Sequence, residues 1–121
     1  MKKIIALVCL LMLIAVPSYA AYASKGQIPQ GEPVEYRGLK VLKDGVDIII
    51  INRGEKTVTF SAACSFVNER GNQEYGNFYV AEMKLGPLEQ IPLKNLYLKG
   101  DYKSCRKADR LSWTIYVLEE K

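Results

Sequence analysis

The chain has 121 residues, with 17 Lys and Arg against 13 Asp and Glu, three cysteines and no histidine. The missing histidine removes Ser-His and Cys-His nucleophile pairs and the usual zinc sites together, so catalysis would have to rest on carboxylates or lysine. Glycines fall singly in turns rather than at fixed offsets opening a helix, so no phosphate-cradling loop is present.

The amino terminus reads as an export signal. Lys2 and Lys3 form a charged start, Ile4 to Val16 an apolar run, and Pro17 ends it. The alternative, an uncleaved anchor, would need about 20 apolar residues, and roughly 13 are available. Ser18-Tyr19-Ala20 and Ala21-Tyr22-Ala23 both offer the small side chains of a cleavage site, so residues 1–23 are assigned to the signal and the mature chain is expected to begin near Ala21 or Ser24. Cys9 lies inside the apolar run, unlike the acylated cysteine of a lipoprotein. Losing Lys2 and Lys3 takes the basic count from 17 to 15 against 13 acids, and the formal charge from +4 to +2. So small an excess, on an exported chain, does not indicate nucleic-acid binding. Roughly 100 residues remain, enough for one core and one domain.

Residues 24–33 (SKGQIPQGEP) form an extended leader, mobile or lying along the sheet, and residues 34–121 form the domain. Val34 to Leu42 alternates as a strand interrupted at Gly38, and Lys43-Asp44-Gly45 is a turn. Val46 to Asn68 is expected to be a hairpin of two strongly β-prone runs joined by Arg53-Gly54-Glu55-Lys56. Ile48 to Ile51 are apolar on both parities, as in a strand covered on both sides or central in its sheet. In the second run Val58, Phe60, Ala62, Cys64 and Phe66 share one face.

After a polar connection, Phe78 to Leu85 is the next strand, with Tyr79, Ala81, Met83 and Leu85 together and Phe78 and Val80 opposite. Phe78 and Val80, with Ile49 and Ile51, make either an outer apolar face or the second layer of a sandwich. Gln90 to Lys94 is a strand that Pro92 pushes to a sheet edge, because proline cannot donate to a ladder. Lys99 to Arg110 is a long polar connection. The last strand places Leu111, Trp113, Ile115 and Val117 on one face. Some seven short strands punctuated by turns predict an all-β, antiparallel sandwich.

Cys64 and Cys105 remain once the signal is removed, an even pair in a chain bound for an oxidising compartment, so a single disulfide is expected. Closing that loop would contribute roughly 4 kcal/mol in the chain-entropy description. A redox or metal-binding pair lacks the CxxC spacing and a histidine. The acids show no spacing that singles out a catalytic pair. One cluster suggests binding: Lys94, Tyr97, Lys99, Tyr102, Lys103, Arg106, Lys107 and Arg110, with Asp101 and Asp109 the only acids among them. It reads as a patch for an anionic partner or as an ordinary solvated loop.

From Val41 to Lys94 the chain resembles small bacterial immunoglobulin-like domains of the FxLYD type. The likeness rests on IIINRGEKTVTFSAACSFVNERGN and on LGPLEQIPL, Leu85 to Leu93, and the FxLYD tetrapeptide itself is missing. Such a resemblance implies an envelope accessory without a catalytic site. The expectation is a periplasmic or secreted module, without cofactor or enzymatic activity, that binds another protein. The alternative is a ligand-binding or inhibitory module recognising an anionic polymer or an enzyme through Lys94 to Arg110. A carboxylate hydrolase is a third class. No nucleic acid and no stable membrane span after signal cleavage are expected.

Overall fold

Alternating apolar residues need a second layer to cover their inner face, and the chain supplies it by folding into two sheets. A computed structural model describes residues 22–68, 70 and 72–121, so the expected signal as far as residue 21, with Cys9, lies outside the described residues. The strands are β1 (Gly26–Gln27), β2 (Val34–Leu42), β3 (Gly45–Asn52), β4 (Val58–Asn68), β5 (Gln73–Leu85), β6 (Gln90–Leu96), β7 (Lys99–Gly100) and β8 (Arg110–Glu120), with a short helix α1 (Tyr102–Arg106) before the last. Six of these eight strands are long, and β1 and β7 are two-residue strands at sheet edges. One sheet runs β1-β2-β3-β6 and the other β7-β5-β4-β8, every pairing antiparallel. Between them lie Val34, Tyr36, Ile48 and Ile50 from the first sheet and Phe60, Phe66, Phe78 and Leu85 from the second.

The stretch Val46 to Asn68 is not a hairpin. β3 pairs with β2 and β6, β4 with β5 and β8, so the five residues 53–57 after Asn52 carry the chain from one sheet to the other. Asn52 is fully buried and holds that corner. Its Nδ2 donates to the carbonyls of Lys56 at 2.8 Å, Leu85 at 3.0 Å and Gly86 at 3.0 Å, and its Oδ1 accepts from the Gly54 N–H at 2.8 Å. Leu85 and Gly86 begin the second crossing, from β5 to β6. One side chain therefore fastens both crossings, satisfying backbone groups that neither sheet can pair.

Bulges settle which residues face inward. Gly38, at φ +63°, sits in the bulge of β2 and shifts the phase so that Val34 and Tyr36 below it, and Leu39 and Val41 beyond it, all point into the core. On β4, Ser61 faces an extra residue on each neighbour, at Ala81–Glu82 of β5 and at Tyr116 of β8. Phe78, Val80 and Leu85 consequently all face inward, so Phe78 and Val80 belong to the sandwich interior. In β8 the inward set is Leu111, Trp113, Ile115 and Leu118; Val117, expected inside, lies opposite Ser61 and is not part of that set. Ile51 faces out yet is 2% exposed. It is covered in a depression framed by Glu35, Arg37 and Arg53, where Arg37 donates to Gln90 and Arg53 pairs with Glu35.

The expected disulfide is absent: Cys64 and Cys105 are both buried and unbonded. Cys64 is level with Phe78 and Trp113, whereas Cys105 hangs from α1 over Gly76, which is level with Phe66. A Cβ on Gly76 would come within 2.6 Å of the Cys105 sulfur, so Gly76 is what admits the thiol there. The Phe66 and Phe78 rings, 5.7 Å apart, meet across the opposite diagonal of the same four positions. α1 is held by its Asp101 cap on the Ser104 N–H at 3.1 Å and by Arg106 Nε on the Val41 carbonyl at 2.8 Å.

Asn52→Ala leaves the buried carbonyls and the Gly54 N–H of both crossings short of partners. The expected loss is about 3 kcal/mol in urea unfolding. A change within about 0.5 kcal/mol, ordinary for a surface site, would show that the corners hold without it.

Candidate functional site

The basic segment wraps one end of the sandwich instead of forming a single face. Lys94 lies on β6 of the first sheet, Tyr97 follows it at 79% exposure, and Lys99 is on β7 at one edge of the second sheet. α1 carries Lys103 and Arg106, Lys107 caps it, and Arg110 opens β8 at the opposite edge. The structure thus gathers Lys103, Arg106 and Lys107 and separates Lys94, Lys99 and Arg110. Arg106 has structural work as well, since its guanidinium lies 5.0 Å over the half-buried Tyr102 ring besides bonding Val41. That bond brings the β2–β3 turn alongside, adding the exposed Lys40 and Lys43 to the same end. Asp101 is drawn into capping, and its bonds to Ser104 hold its carboxyl below the usual range.

The two thiols sit in the same end of the core. Burial pushes the Cys64 thiol well above the usual range and Cys105 up to about 11, with Asp101 and Glu74 adding to the latter. Neutral, buried thiols are poor nucleophiles, since the thiolate is the reactive form. Among the described residues no group of three or more His, Cys, Asp or Glu is placed to hold a metal. No helix among them is long and apolar enough to cross a membrane.

The sheet edges differ sharply. β1 and β7 are two residues long, and β6 carries Pro92 and the exposed Lys94, all devices that blunt an edge. β8 is eleven residues long, with charges only at its ends and a bulge at Tyr116: Leu111 to Leu118 contains no charge, proline or glycine, and Trp113 to Val117 are all aromatic or β-branched. β4 pairs with one side of it, and among the described residues no strand occupies the other. The leader lies inside this edge, where a Cβ on Gly31 would be 3.0 Å from Ile115 Cδ1. On the outer face beside it, the exposed Tyr79 and Tyr116 rings stand 5.9 Å apart and Tyr79 shares a hydrogen bond with Ser61. The alternation of β8 is plain in the sequence. Its lack of a neighbour is not, although the uninterrupted uncharged run is a visible sign.

No family model matches the chain, and neither the curated proteins nor the solved structures yield a match.

Iodoacetamide applied without reductant should spare Cys64 and Cys105 in the native protein and alkylate both in denaturant; a Cys64–Cys105 cross-linked peptide would contradict the unbonded thiols. The Cys105 pKa is raised on folding, so between about 8.5, its unfolded value, and about 11 the unfolded chain binds fewer protons and stability falls as pH rises. The stability difference between wild type and Cys105→Ala should be constant below that window and shrink across it. A flat difference would contradict a buried neutral thiol.

Proposed function

We propose that the protein is an exported, non-catalytic sandwich of immunoglobulin-like order that binds another envelope protein by accepting an extended segment on the edge of β8. The observation that carries this reading is the outer side of the eleven-residue β8, whose uncharged run from Leu111 to Leu118 is broken only by the bulge at Tyr116, beside edges formed by the two-residue β1 and β7 and the proline-bearing β6. Extended segments bind such edges through backbone hydrogen bonds, with alternate side chains setting specificity. The strand order supports the same reading. β2, β3 and β6 follow the order A-B-E, and β5, β4 and β8 the order C′-C-F, of an immunoglobulin sandwich, in which a further strand G lies beyond F. That order also agrees with the likeness to small bacterial immunoglobulin-like domains. Glu119 and Glu120 at one end and the uncharged run from Leu111 to Leu118 favour an incoming strand with a base at that end and an uncharged middle.

A photoreactive phenylalanine at Thr114, on the exposed face of β8, reaches a strand added beside it, since cross-strand neighbours lie about 5 Å away. Irradiation in the native envelope should give an adduct with a different protein, and the same group at the exposed Leu88, in the β5–β6 turn, should give none. Equal labelling from both positions, or none from Thr114, counts against the edge; an adduct of two identical chains would make the partner a second copy.

A second reading is favoured by one observation, the addition of Lys40 and Lys43 to the basic end: recognition of an anionic polymer there. Replacing Lys43, Lys103 and Lys107 with Gln avoids the structural Arg106. On this reading the triple variant loses most of its retention on heparin resin at low salt, and unchanged retention removes the basic end from consideration.

A further inference from the structure

We infer that the export signal is cut after Ala20, so that the mature chain begins at Ala21 and keeps Tyr22 and Ala23 as working parts of the fold. This rests on the export reading above. Two sites are available by sequence, and the signal as first assigned ends at Ala23. The folded contacts separate them. Tyr22 is half-buried and packs against the core, its ring meeting Phe66 edge-on at 5.2 Å between centroids. It and Ala23 line one wall of the surface depression that Leu111 and Trp113 of β8 line on the other. The Ala23 carbonyl accepts a 2.9 Å hydrogen bond from the Tyr36 hydroxyl, on a residue 6% exposed whose ring also touches Trp113. One residue on, the Ser24 carbonyl accepts from the Leu39 N–H at 3.1 Å, at the β2 bulge. The tie between the amino terminus and β2 thus begins before Ser24.

The peptidase reads an extended chain in transit, so these contacts do not steer the cut; they show which product is a whole domain. A chain starting at Ser24 would lose the ring that covers Phe66 and the acceptor of the Tyr36 hydroxyl, uncovering apolar surface beside the start of β8. Cut after Ala20, nothing that the described fold uses is lost.

Intact-mass and amino-terminal analysis of the protein isolated from the envelope of expressing cells gives the test. An amino terminus at Ala21 is expected. Ser24 would overturn the inference and leave export standing, whereas an intact Met1 would overturn export itself. A second comparison is independent of the cell: a chain beginning at Ser24 should have an unfolding constant about 10- to 100-fold larger than one beginning at Ala21, the range expected for a lost buried hydrogen bond and ring contact. Equal constants would show that Tyr22 and Ala23 are dispensable and would overturn the inference as well.

Discussion

A single buried amide joins the two sheets at one end of the sandwich. Each crossing between layers must abandon ladder hydrogen bonds, and the groups left over are buried, where they cannot turn to water. Asn52 has two donors and an acceptor on one short side chain; the two N–H are shared among the carbonyls of Lys56, Leu85 and Gly86, and the oxygen accepts from the N–H of Gly54. The Asn52 N–H itself goes to Glu89, and Glu89 returns its carboxylate to the Gly86 N–H at 2.7 Å. The β3–β4 and β5–β6 crossings are therefore one hydrogen-bonded unit, and the pairing of β3 with β6 and of β4 with β5 follows from where that unit places their ends.

The bulges act at a second level, fixing which side chains those strands bury. A strand of period two that gains a residue reverses its faces, and both neighbours of β4 gain one at Ser61. Below that level Val80 and Ile115 face inward; above it Leu85 and Leu118 do. Without the added residues the upper halves of β5 and β8 would bury Lys84 and Glu119, which pair with Thr59 on the outer face. On that face the same reversal leaves Tyr79 and Tyr116 in contact over Ser61.

The two ends of the sandwich differ in what they hold. The Asn52 end is tied by hydrogen bonds between crossings. The other is closed by α1, which carries Cys105 inward over Gly76 and reaches back to Val41 through Arg106. The leader completes the side between β2 and β8, bringing Ile28 into the core. With the ends closed, β1 covers only Glu35 and Tyr36 of β2 and β7 only Gly76 and Asn77 of β5, whereas β8 is without a strand partner along its whole outer side among the described residues. That asymmetry motivates the reading of the protein as a strand-accepting module.

The class of fold was readable from the order of residues alone. Alternation in Val58 to Phe66, the turn at Lys43-Asp44-Gly45 and the proline that sends β6 to an edge were legible because each is a local property of a few adjacent residues. The apolar run at Ile48 to Ile51 likewise announced a central strand. Which strands pair was decided only in three dimensions. A short polar link suits a hairpin or a crossing equally, and the choice lay with Asn52, whose partners are 33 and 34 residues away in Leu85 and Gly86. The inward turn of Leu118 in place of Val117 depended on a bulge set by the neighbouring strand. The fate of the cysteines depended on packing too: two thiols in a small chain expected to be exported suggest a bond, whereas the folded core buries both unbonded, with Cys105 seated over Gly76. Local pattern fixes the period and the breaks of each strand, while partners, faces and open edges are properties of surfaces that exist only once distant segments meet.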